Sequence, residues 1–137
     1  MTDRWKGLSD AEHARWEEYI RQLGDLLLLR DWELDLSREG TNDWAEIKVS
    51  DVENQATVKL GADWVQHTPD EQREFLVHEL LHVHTDRIHR LMSQLAEQWS
   101  ENSACQFAKE AHRKETEIVV NTLARIIAPM LPLPEDA

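Results

Sequence analysis

Behind the capping-box sequence Ser9-Asp10-Ala11-Glu12, the apolar residues Trp16, Tyr19, Ile20, Leu23, Leu26 and Leu27 recur at helical spacing. They predict a packing helix from Ser9 to about Arg30. The period then changes. Trp32, Leu34 and Leu36 alternate with Glu33, Asp35 and Ser37, the two-residue rhythm of a half-buried strand, and a turn is expected at Glu39-Gly40-Thr41-Asn42-Asp43. Two more strands are expected near Trp44 to Val49 and Ala56 to Leu60, joined by the polar turn Asp51-Val52-Glu53-Asn54. Their inward sets would be Ala45, Ile47 and Val49, and Ala56, Val58 and Leu60.

The second half of the chain returns to helical spacing. Thr68-Pro69-Asp70-Glu71 combines an N-cap, a proline at the first helical position and a glutamate placed to close a capping box. Phe75, Leu76, Leu80, Leu81, Val83 and Ile88 follow, as in a helix buried on most sides. A further helix is predicted from Glu115 to Met130, where Pro129 ends an apolar-periodic run. The expectation is an α+β fold: an N-terminal packing helix, a small, mostly antiparallel sheet of about three strands, and C-terminal helices. With 137 residues and no Pro-, Gly- or Ser-rich linker, residues 1–137 are expected to form one domain.

The chemistry sits in the middle helix. Residues 78 to 82 read His-Glu-Leu-Leu-His, which puts His78 and His82 one turn apart on one face, where two imidazoles can share a metal ion. Glu79 is then the carboxylate that takes a proton from the metal's water. A histidine-rich amphipathic helix with solvated rings is the bland alternative. A catalytic zinc usually takes three protein ligands, so a third must be found. The zincin class with a glycine seven and a histidine ten residues after the first histidine is excluded, because those positions are Thr85 and Ile88. Asp86 and His89 are the next candidates on that helical face, but a ligand a full turn beyond His82 is too far along the axis to complete a tetrahedron with it. A later helix is the better source. Glu117, Val120, Asn121 and Ala124 share a stripe, presenting a carboxylate and an amide one turn apart on a largely apolar face. Read singly, Glu117 would be a solvated acid near a helix start, and Glu115 competes with it for the ligand role.

Glu117-x-x-Val-Asn121-x-Leu-Ala-x-x-Ile-x-Pro129, downstream of His78-Glu79-x-x-His82, resembles the two-part signature of ImmA/IrrE-like metallopeptidases and short phage- or prophage-encoded zinc peptidases. The resemblance implies a zincin-like fold, one Zn2+ held by His78, His82 and Glu117, and Glu79 as general base. Leu81 stands where the ImmA-like pattern often has glycine, as in the phage-type variants.

Composition narrows the setting. A net charge of −12 argues against direct nucleic-acid binding. Lys109, His112, Arg113 and Lys114 form a modest basic cluster, interrupted by Glu110 and Glu115, that reads as a solvated helical face. The four leucines at 26 to 29 are too few to span a bilayer and belong in the core or at an interface. The start Met-Thr-Asp-Arg-Trp-Lys shows no apolar signal region, and Cys105 is the lone cysteine, so a cytoplasmic setting is expected. Cys105 reads as a small packing residue. Tyr19, His84, His89 and His112 are the available oxyanion donors, each reading first as structural or solvated.

The expected function is zinc-dependent hydrolysis of peptide bonds in a protein or peptide substrate, with neither a nucleic acid nor a membrane as partner. Two other readings use the same site: a zinc-containing binding or regulatory module with little turnover, and a non-peptidase metal hydrolase.

Overall fold

The computed structural model describes residues 7–50, 52–98 and 102–134. The N-terminal residues 1–6 and Asp51 of the expected turn lie outside that set. The chain runs α1 (Asp10–Leu26), β1 (Glu33–Thr41), β2 (Ala45–Ser50), β3 (Gln55–Gly61), α2 (Pro69–Ala96) and α3 (Asn102–Ile127), with single 3-10 turns at Trp64–Gln66 and Ala128–Met130. This is the expected α+β layout. Its core is one apolar cluster in which Ile20 and Leu23 of α1, Val58 and Leu60 of β3, Leu76 and Leu80 of α2 and Val120 of α3 are essentially solvent-free.

Both capping boxes form. Glu12 N donates to Ser9 Oγ at 3.1 Å while Ser9 N donates to the Glu12 carboxylate at 2.9 Å. Thr68 and Glu71 repeat the exchange at 3.2 and 2.9 Å. These reciprocal bonds satisfy orphan donors of the first turn and so set where each helix begins. Helix α1 stops at Leu26, short of the expected Arg30, because Leu28 takes a left-handed φ of 65°. Leu28 N and Leu29 N then donate back to Asp25 O and Gly24 O, closing the helix end in a Schellman arrangement.

The sheet has three strands but is mixed where mostly antiparallel pairing was expected. Its order is β1-β3-β2, with β1 parallel and β2 antiparallel to β3. The cause lies at Asn42-Asp43-Trp44. That loop leaves a strand's width between β1 and β2 and passes over the end of β3, which fills the gap. Gly61 makes the crossing possible: a Cβ there would run into the backbone carbonyl of Asp43, and Gly61 N donates to Trp44 O at 2.9 Å. Gly61→Ala is therefore expected to destabilise the fold by about 1–3 kcal/mol in chemical denaturation, since backbone must move to admit the methyl. Of the turn expected at Glu39-Gly40-Thr41-Asn42-Asp43, the first three residues stay in β1, which has a register shift between Leu36 and Gly40, and the chain bends only at 42–44.

Helix α3 begins at Asn102, well before the expected Glu115. Its early half carries few large apolar residues: Ala108 is buried, and His112 stacks on His89 of α2. The two long helices run antiparallel, aligned near one end by a 3.0 Å Lys109–Glu97 ion pair. Among the described residues no helix is long and apolar enough to cross a membrane.

Candidate metal centre

Three chain segments build one cleft of about 960 Å3: the loop into β2 and β2 itself, the middle of α2, and α3 from Arg113 to Arg125. His78, Glu79 and His82 line it from α2, and Glu117 and Asn121 line it from α3. The carboxylate oxygen Oε1 of Glu117 lies 2.9 Å from His78 Nε2 and 3.2 Å from His82 Nε2, and the two ring nitrogens are 3.3 Å apart.

That triangle can be tested against a metal. Tetrahedral bonds of about 2.0–2.1 Å to nitrogen and oxygen place neighbouring ligand atoms roughly 3.3 Å apart. The separations observed here match that edge length to within a few tenths of an ångström, so the donor set fits a small divalent cation. His78, His82 and Glu117 form a group that could hold a metal ion. Burial lowers the pKa of His78 below its ordinary value, although Glu117 opposes the shift. The neutral imidazole so favoured is the form that offers a lone pair to a cation.

Glu79 stands beside this group, its carboxylate 3.8 Å from His78 Nε2 and only 15% exposed. Its pKa is pushed up to about 8, first by burial and then by the negative charges of Glu117, Asp43 and Glu46. A cation held by the three ligands acts in the opposite sense and draws the proton off Glu79. Charging Glu79 and filling the site are thus coupled, and cation binding is expected to release protons.

Asn121, one turn after Glu117, also lines the cleft, and its amide acts on the His78 ring in the sense that raises the ring's pKa. Partners of this kind fix the orientation of a ligand histidine. Asn121→Ala is expected to weaken metal affinity about 10- to 100-fold while leaving the circular dichroism spectrum unchanged; competition against a chelating dye measures it.

Several sequence readings are sorted by this geometry. Glu117, not Glu115, reaches the histidines, and Glu115 is exposed on α3. Asp86 lines the cleft but is tied to Arg90 at 2.7 Å. Tyr19 donates to Pro132 O at 2.8 Å, and His84 Nε2 donates to Leu27 O at 2.7 Å, so both are structural. His89 lines the cleft and stacks on His112 with centroids 5.4 Å apart. Cys105 is partly buried and stands outside the ligand group. Comparison with protein-family models, curated proteins and solved structures returns no match.

The cleft walls were missed. Arg113, expected on a solvated face, lines the cleft, and so does Arg125. Positions 113, 117, 121 and 125 are each one turn apart, so extending the Glu117 stripe in both directions would have found them. Opposite them stand Asp43 and Glu46 from the sheet side, with Trp44 stacked on Phe75 at 4.6 Å. No local pattern marks that wall, because it depends on where the β2 edge meets α2.

Proposed function

We propose that the protein is a zinc-dependent peptidase of the zincin-like kind, with His78, His82 and Glu117 as ligands and Glu79 as general base. The observation that carries this reading is the 2.9–3.3 Å triangle of ligand atoms with the Glu79 carboxylate directly beside it. The resemblance of the two motif segments to ImmA/IrrE-like and phage-type metallopeptidases points the same way.

A divalent cation at such a site would polarise a substrate carbonyl and acidify water. The chain's own residues do the rest. Glu79 accepts the proton of the attacking water and passes it to the departing nitrogen, a transfer suited to a carboxylate whose pKa burial has already raised. Asn121 holds the His78 ring in place. Strand β2 pairs with β3 on one side and lines the cleft with Ala45, Glu46, Ile47 and Val49, leaving an edge on which an extended peptide can add main-chain hydrogen bonds.

The test is a proteome incubated with the zinc-loaded protein and, separately, with zinc-loaded Glu79→Gln. New peptide termini that appear with the parent and not with the variant support a peptidase. A parent that binds zinc yet generates no new termini would instead favour the binding module or a non-peptide substrate.

A further inference from the structure

We propose that two copies of this chain pair symmetrically through the distal half of α2. The proposal is independent of what the cleft does. Along α2, Val77, Leu81, His84, Ile88, Leu91 and Leu95 follow one another at alternating spacings of four and three residues, the seam spacing of paired helices.

The first half of this seam is covered within the chain. Val77 and Leu81 are buried, and the bond from His84 to Leu27 O places the end of α1 over the third position. One turn later the cover stops. Ile88, Leu91 and Leu95 continue the same stripe, yet each is more than half exposed. At the junction Leu28 occupies the left-handed position normally given to glycine, φ 65°, and its side chain is 83% exposed. Leu26 and Phe107 are also half or more exposed, and counting along the antiparallel helices from the His89–His112 stack sets Phe107 near the level of Leu95.

The seam selects its occupant. A stripe at this spacing is covered best by a helix bearing the same spacing, and the identical segment of a second copy, turned about a two-fold axis, supplies one. The area agrees. Leu26, Leu28, Ile88, Leu91, Leu95 and Phe107 together expose roughly 600 Å2 per copy, close to the ~800 Å2 per partner of a stable complex and at the upper end of what monomers leave open. The three exposed seam positions carry no charge, so two chains of net charge −12 meet along a neutral strip.

Sedimentation velocity on the full chain tests this. The parent is expected to be dimeric at tens of micromolar. Leu91→Glu with Leu95→Glu should raise the dissociation constant at least about 100-fold with unchanged circular dichroism. The milder Leu91→Ala with Leu95→Ala, which introduces no charge, should raise it about tenfold. Val65→Glu, on the exposed 3-10 turn before α2, should leave the dimer intact. A parent that stays monomeric at about 100 μM, a Glu pair that stays dimeric, or a Val65→Glu variant that dissociates as readily would overturn the proposal.

Discussion

Glu117→Ala is expected to abolish stoichiometric zinc binding without unfolding the protein. Glu117 Oε1 is the one atom that closes both distances, 2.9 Å to His78 and 3.2 Å to His82. Without it two imidazoles on adjacent turns of α2 remain, and two donors hold zinc far less tightly than three. Loss of an orienting neighbour costs 10- to 100-fold in affinity, so loss of a ligand should cost at least about 100-fold. The fold should survive, because Glu117 is nearly half exposed and the neighbouring core contacts of α3 come from Val120 and Ala124. Metal content after dialysis against a zinc buffer decides it: near one equivalent for the parent and far less for the variant. Equal content in both would remove Glu117 from the ligand set.

Glu79→Gln is expected to separate two properties of one residue. Zinc content should stay near one equivalent, because Glu79 is outside the ligand triangle, while cleavage of any substrate found for the parent should fall by a factor of about 10² or more. The same substitution should stabilise the metal-free protein. Glu79 has a folded-state pKa of about 8 against an ordinary 4.5, so the folded state holds its proton more tightly than the unfolded state does. That contribution is fully present below pH 4.5 and is lost as pH rises through about 8. Glutamine has no proton to lose. The stability difference favouring the variant should therefore open between those two values and reach on the order of a few kcal/mol. Thermal melts of both proteins, stripped of metal, across this range measure it. A difference that stays flat with pH would show that Glu79 is not held in a desolvated, negatively charged setting.

What could be read from the chain, and what could not, follows from the range of the interactions. Capping boxes are local, and the two helix starts at Ser9 and Thr68 were legible to the residue. The pairing of His78 and His82 is also local, being one helical turn. Glu117 lies far along the chain, yet its stripe with Asn121 was legible because both residues sit on one helix and the site needed a third donor. The parallel pairing of β1 with β3 was not. It depends on a loop crossing the end of β3 at Gly61, a close approach that leaves no periodic trace. The early half of α3 escaped for a different reason: its buried apolar residue is the small Ala108 and most of its other side chains are polar, so the apolar period that marks a helix is faint there. The acidic and aromatic wall of the cleft is a product of tertiary packing alone.

Sequence and structure meet most closely at the candidate metal site of His78, His82 and Glu117, and X-ray absorption at the zinc edge of the zinc-loaded protein addresses it directly. One zinc per chain is expected in a four-coordinate shell of nitrogen and oxygen at about 2.0 Å, with the outer-shell scattering of two imidazoles, and one imidazole fewer in His82→Ala. A shell containing sulfur, which would implicate Cys105, or a spectrum unchanged in His82→Ala, would contradict it.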